Sequence, residues 1–315
     1  MAKKKGPGRA ERQGISVVEL FHMFPDNAAA ERWFEQQRWP NGITCPRCDS
    51  TRYAVIPLRK PMPYRCKDCR KHFSVRVGTV MQDSNLGLQK WVVAIYLMTV
   101  GIKGTSSMRI HRDLKITQAT AWHLMQRIRQ AFVDAGNPLA GPVEVDETYL
   151  GGLDKNKHAD KKLVHGNAYG VKQPVVGMKS RKTNQVKAEV LHAVSAKTLQ
   201  RFVKAHTPQG ETVYSDQHRG YWGLRKSGYR LESVNHSVKE YVNGQAHTNG
   251  IESFWALLKR GYHGTYHKMS AKHLPRYINE FSGRHNIREH DTAAQMALIA
   301  KGFIGKRLRY QDVIA

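Results

Sequence analysis

The chain has 315 residues, with 51 Lys and Arg against 25 Asp and Glu, a formal net charge of +26. Apolar residues make up 40% and charged residues 24%, a globular balance that excludes a wholly disordered chain, and no apolar run approaches the ~18 residues of a membrane span. The positive excess selects a polyanion, nucleic acid above all, as the partner class, and at roughly 150 residues per domain the length allows two or three domains. The basic start, Met1 to Lys5, is followed by no apolar signal core, so the expected location is the cytoplasm, in association with the nucleoid.

Residues 1–40 read as a basic tail and N-terminal helices. Ser16 with Glu19 forms a capping-box pattern, and Asp26 or Asn27 can cap a helix through Trp33 and Phe34 that Pro40 stops. Residues 41–80 hold all four cysteines, in two pairs, Cys45-Pro-Arg-Cys48 and Cys66-Lys-Asp-Cys69, separated by seventeen residues. Each pair puts two thiolates on one tight knuckle, and two knuckles complete a closed tetrahedral shell for one structural Zn²⁺. Short strands are expected over 52–56, 63–65 and 71–77, which makes the segment a zinc ribbon.

Residues 85–135 read as a helical, helix-turn-helix-like DNA-binding region. A helix over 86–100 is apolar on most faces and therefore buried. Two further helices, 106–114 and 117–132, are joined by a tight turn at Lys115 and Ile116, the second capped by Thr117. Its stripe of Ala121, Met125, Ile128 and Phe132 leaves Gln118, His123, Gln126, Arg127 and Gln130 on the opposite side, a polar face of the kind that reads a major groove. Gln118, His123 and Arg127 are the expected DNA contacts.

From residue 140 to 290 the pattern becomes α/β. Strands are expected over 142–149, 174–179 and 185–191, a helix over 195–206 capped by Ser195, strands over 211–216 and 229–234, and a helix from 249 to 260. This order is that of a ribonuclease-H-like fold. Three acids stand at telling places: Asp146 inside the first strand, Asp216 at the end of the fourth, and Glu252 on the helix, on the flank of the stripe Ile251, Phe254, Trp255 and Leu258. Three carboxylates converging in a basic protein suit two Mg²⁺ or Mn²⁺ ions, which activate an attacking oxygen and stabilise a leaving one in phosphodiester displacement. Glu147 alternates to the other face of its strand and reads as a supporting residue. Asn249 reads as the cap of the last helix, His218 as a solvated loop residue, and 284–286 as the end of a helix over 270–281. The basic loop 154–162 reads as a DNA-contacting arm or a solvated loop. Residues 291–315 read as a C-terminal helix and basic tail, with 301–310 helical at first.

Val143-Glu-Val-Asp-Glu-Thr-Tyr-Leu-Gly-Gly152, Tyr214-Ser-Asp216 with Gly220-Tyr221, and the run from His247 through Asn249, Glu252 and Lys259 to Arg260 strongly resemble bacterial insertion-sequence transposases. They are similar to the ISXO-like group of DDE transposases, whose members carry an N-terminal zinc ribbon. The segment from Arg38 to Cys48 resembles that group's ribbon entry. The resemblance spans about residues 20–290. It implies that Asp146, Asp216 and Glu252 are the catalytic, metal-binding triad, the third position being Glu here although it is not always Glu in the group. It also implies that Lys259 lies near the terminal nucleotides; Arg260 beside it is a further expected DNA contact.

The function expected is that of a DNA transposase. It would bind the terminal inverted repeats of an insertion sequence and join the cut ends to target DNA, as a homodimer or higher oligomer on double-stranded DNA with no membrane partner. The alternatives are a domesticated DNA-binding regulator without catalysis and a structure-specific nuclease on the same fold.

Overall fold

The computed structural model describes residues 13–133, 136–151, 172–216, 218–234 and 247–314. The loop 154–162 and the tail Lys3 to Lys5 lie outside these residues. The chain divides into two compact units, Met1–Phe132 with Ile287–Ala315, and Val133–Asn286.

The first unit opens with α1 (Val17–Met23), started by the Ser16–Glu19 capping box, and α2 (Asn27–Arg38), where Asp26 accepts the Ala29 N–H at 2.7 Å. The ribbon follows as an antiparallel sheet of β1 (Tyr53–Val55), β2 (Tyr64–Cys66) and β3 (His72–Phe73). The third strand is much shorter than the expected 71–77. Past Phe73 the backbone carbonyls turn to side chains instead of a ladder: the Arg38 guanidinium donates to Val75 O at 2.7 Å and to Val77 O at 2.6 Å. The helix α3 (Leu88–Val100) is buried from Trp91 to Thr99 and forms the centre of this unit. Then α4 (Ser107–Leu114) and α5 (Gln118–Arg129) are capped by Ser106 and Thr117 and joined through Lys115, whose φ of 48° makes the left-handed turn.

The second unit is a five-stranded sheet covered on both faces. Its elements are β4 (Val143–Leu150), β5 (Gln173–Ser180), β6 (Val186–Val190), α6 (Ala196–His206), β7 (Thr212–Asp216), a 3-10 helix (Arg219–Ser227), β8 (Arg230–Val234), α7 (Asn249–Gly261) and α8 (Leu274–Asn286). The strand order is β6-β5-β4-β7-β8. The first three strands are antiparallel neighbours, while β7 and β8 run parallel to β4. Alternation along β4 sorts the faces. Val143 and Val145 pack with Leu199, Phe202, Tyr221 and Leu224 of α6 and the 3-10 helix. Leu150 and Val175 pack with Ile251, Trp255 and Leu258 of α7 and Phe281 of α8.

Two local expectations are corrected. Asn249 is the first residue of α7 and not its cap; Thr248 takes the cap position without a side-chain cap bond, because an acceptor arrives from β4, as described below. The helix expected over 270–281 starts at Leu274 and runs on to Asn286, held there by the Asn286 amide bonding both Val186 N–H and Val186 O at 2.7 and 2.9 Å.

The chain then returns to the first unit through α9 (Thr292–Lys301), whose Met296, Ile299 and Ala300 join the α3 core with Phe303. The helical start expected for 301–310 is Lys301 alone, the last residue of α9, and residues 302–309 are not helical. Phe303 turns into the core against Trp91, with ring centroids 5.8 Å apart, and Gly305 takes a φ of 73°. A last short helix, α10 (Tyr310–Ile314), ends the described chain.

Candidate active site

Strand alternation places Glu144 and Asp146 on the face of the sheet that α7 covers. The parallel pairing of β4 with β7 runs Val143↔Val213 and Glu144↔Tyr214 and ends there; the same offset carried two residues on brings Asp146 level with Asp216, whose charge acts on Asp146. Opposite Asp146 on the other side lies Gly177 of β5. The Trp255 ring occupies the room left by the missing side chain: a Cβ on Gly177 would stand 2.5 Å from Trp255 Cη2. The indole N–H then donates to Asp146 Oδ2 at 3.1 Å. Asp216 Oδ1 accepts the His218 N–H at 3.0 Å, and Glu252 Oε1 accepts the Thr248 hydroxyl at 2.6 Å.

The start of α7 is fixed by a residue that the reading of the sequence did not single out. Glu144 is 2% exposed. Its Oε2 accepts the Ile251 N–H at 3.0 Å and its Oε1 the Arg181 Nε–H at 2.8 Å. The guanidinium also donates to His247 O at 2.6 Å and lies over the Tyr214 ring at 3.8 Å. A Cβ on Gly250 would stand 2.6 Å from Glu144 Oε2, so glycine there lets the helix terminus approach the carboxylate. The only signal in the sequence was an acid in a strand position that must be buried.

Asp146 is pushed up to about 7, first by burial and then by the charges of Glu147, Asp216 and Glu252. Glu147 faces the opposite side of the sheet, where Tyr221 donates to it at 2.7 Å and His218 Nε2 lies 3.8 Å away. Burial raises its pKa, and the Asp216 charge adds to that. The His218 backbone is thus tied to Asp216, while its ring stays exposed to solvent as expected, within 3.8 Å of Glu147. The acids repel one another across a small space, which is the electrostatic condition that a cation relieves. Among the described residues, however, only the four cysteines bring three or more ligand atoms close enough together to share one ion. Lys259 and Arg260 are exposed on α7, with Lys259 seven residues, about 10 Å, along the axis from Glu252.

The cysteine sulfurs stand as a tetrahedral metal site requires. Cys45 Sγ is 3.6 Å from Cys69 Sγ, and Cys48 Sγ is 3.6 Å from Cys66 Sγ. A tetrahedron with metal–sulfur bonds of about 2.3 Å has edges near 3.8 Å, whereas a disulfide is near 2.05 Å. The backbone N–H groups of Cys69 and Asp68 point at Cys66 and lower its thiol to about 7, favouring the thiolate that binds metal. Arg52 and Ser50 both bind Asp68 and brace the second knuckle.

The polar face of α5 is not open as expected. Arg127 is buried, with its Nε–H donating to Leu308 O at 3.0 Å, and Gln126 is wholly buried. The His123 ring packs edge-on against Tyr310, with centroids 5.2 Å apart. The C-terminal segment covers this part of the helix, leaving Arg127 buried and His123 half-buried. Gln118 remains exposed at the start of α5, bonded to the Ser107 hydroxyl at 2.9 Å.

Comparison with known proteins matches residues 138–286 to the ISXO2-like transposase domain and residues 25–72 to the transposase zinc-ribbon domain. A protein described as an uncharacterized protein in transposable element ISH50, from Halobacterium salinarum, is 29% identical over 277 residues, 84% of this chain and 92% of that protein. A solved structure of a pre-cleavage Mos1 transpososome is 12% identical, covering 69% of this chain and 80% of that chain, with a TM-score of 0.20, too low to inform the fold or the assembly. No helix among the described residues is long and apolar enough to cross a membrane. With the ribbon cysteines gathered and both regions matched, the chain carries an ISXO2-like transposase domain behind a transposase zinc-ribbon domain.

Proposed function

We propose that this transposase binds the terminal inverted repeats of an insertion sequence and catalyses metal-dependent cleavage and strand transfer at their ends, with Asp146, Asp216 and Glu252 as the catalytic acids. The observation that carries the reading is the convergence of the first two acids on neighbouring central strands, with the third on a helix bonded to one of those strands. The second unit is read as ribonuclease-H-like: three antiparallel strands, then two parallel to the first, in the order β6-β5-β4-β7-β8, support that assignment.

The donor set is all carboxylate, which fits Mg²⁺ or Mn²⁺; when bound, such ions supply activation of a water or 3′-hydroxyl and charge stabilisation at the leaving oxygen. The chain's own residues do the positioning. Trp255 holds the Asp146 carboxylate by one oxygen, the His218 N–H holds Asp216, and Glu144 fixes the helix turn from which Glu252 projects. Lys259 and Arg260, exposed on the same helix, bind phosphates. Zn²⁺ on Cys45, Cys48, Cys66 and Cys69 holds the ribbon. The ribbon and the α4–α5 pair, through Gln118 at its exposed start, recognise duplex DNA, and the ends are paired in a homodimer or larger synaptic complex. A DNA-binding regulator without catalysis has no use for three acids held in mutual repulsion. The test is incubation with element-end DNA and Mg²⁺, scored for 3′-end nicks and joined products.

A further inference from the structure

The 3-10 helix that follows Asp216 runs for nine residues, Arg219–Ser227, where three or four is usual. At three residues per turn, side chains three apart eclipse, so Arg219, Trp222 and Arg225 stand in one row. This row faces outward. Trp222 is 55% exposed, while Tyr221 and Leu224 beside it are fully buried. The Arg219 guanidinium carbon lies 5.6 Å from the Trp222 ring centroid. The row is rigidly mounted. The Tyr221 hydroxyl is bonded to Glu147 at 2.7 Å, next in sequence to Asp146, and Gln200 of α6 donates to Gly220 O at 2.8 Å. Gly223 admits the same glutamine, for a Cβ there would stand 2.5 Å from Gln200 Nε2. Beside the row, α6 turns Lys197, Arg201 and Lys204 outward at spacings of four and three.

We propose that this face is a second DNA site, in which Trp222 stacks on an unpaired nucleobase while the cations on either side hold the flanking phosphates. An indole offers a flat face that stacks on any base, and a basic surface tracks the backbone; together they form the usual platform for single-stranded nucleic acid. Bases inside a duplex are already stacked, so an exposed indole selects a strand whose pairing has opened. The platform begins three residues after Asp216, where β7 ends, and its helix packs on the sheet face opposite α7; that the base it takes belongs to the strand bound at the acids rests on the proposed role of Asp216.

The experiment uses a duplex with a single-stranded 3′ tail carrying 2-aminopurine, at saturating full-length protein and without divalent cation. Wild type is expected to quench the probe several-fold, Trp222→Phe to keep most of the quenching, and Trp222→Ala to lose it. Affinity for the tailed duplex should weaken about tenfold in Trp222→Ala, while affinity for a blunt duplex stays level. Trp222 is exposed, so the variants keep the fold, which circular dichroism checks. Equal quenching by wild type and Trp222→Ala, or equal loss of affinity for blunt and tailed duplexes, would overturn the platform. Because no metal is present, this outcome is separate from the transposase reading, which falls only if Mg²⁺-dependent cleavage is absent.

Discussion

The carboxylate of Glu144 accepts the backbone N–H of Ile251 at 3.0 Å, so the strand that carries Asp146 holds the first turn of the helix that carries Glu252. The first N–H groups of any helix have no partner within it. Here an acid two residues before Asp146 supplies one, and a negative charge at a helix N-terminus is also favoured by the helix dipole. The distance between two of the proposed catalytic acids is thereby set by a contact two residues from Asp146 on the strand and one residue from Glu252 on the helix.

Glu144→Ala should destabilise the second unit by about 3–5 kcal/mol, because it breaks a largely buried ion pair with Arg181 and removes the acceptor of the Ile251 N–H. Glu144→Gln keeps an acceptor for Ile251 and should cost less. In both variants cleavage should fall further than end binding, since the ribbon and Gln118, proposed to recognise duplex DNA, do not touch Glu144. Thermal unfolding and a gel-shift titration beside a cleavage time course check this; equal losses in binding and cleavage would make Glu144 a purely structural acid.

Asp146 should make the metal-free protein lose stability as pH rises. Its folded pKa of about 7 lies above the ordinary 3.8, so the folded state binds the proton more tightly than the unfolded one. The favourable contribution is complete below about pH 4 and is lost as pH climbs through 7. Asp146→Asn cannot ionise, so its melting temperature should exceed that of wild type by a margin that opens between those pH values. Saturating Mn²⁺ should close the margin by restoring wild type alone. A margin that does not change with pH would contradict the crowding of acids described above.

Replacing Cys45 by Ser should release zinc and unfold the ribbon, where metal binding supplies about 10–16 kcal/mol of folding free energy. The second unit shares no residue with the ribbon and should keep its own unfolding transition. Elemental analysis with calorimetry reads both; native protein without zinc would refute the assignment.

Lys259→Ala should weaken end binding and reduce its salt slope by about one, as expected for one lost phosphate contact. Lys259→Arg should keep part of the activity, since the charge persists in a different geometry. Identical salt slopes for wild type and Lys259→Ala would make the lysine a solvated neighbour of the core stripe.

Local chemistry was legible in the sequence, and long-range coverage was not. Cysteine spacing pointed to the ribbon, and the caps at Ser16, Thr117 and Ser195 stood where the helices begin. Strand alternation separated Asp146 from Glu147, because a period of two fixes a side chain's face from the residue number alone. Periodicity also gave α5 a polar face, but it carries no information about which distant segment lies over that face; Leu308, 181 residues on, binds Arg127. The fit of Trp255 over Gly177 and the bond from Glu144 to Ile251 are likewise contacts between elements, invisible to any window of sequence. Even the displaced cap of α7 follows from such a contact.

The most direct test of the central claim is strand transfer by Glu252→Gln on element-end DNA in Mg²⁺, beside Asp146→Asn and Asp216→Asn. Each substitution removes one charge with little change in volume. The account predicts that all three bind ends nearly as wild type does and yield neither 3′-end nicks nor joined products, with Ca²⁺ supporting binding by wild type without cleavage. Cleavage at the wild-type rate by any one of the three variants would remove that acid from the site and contradict the account.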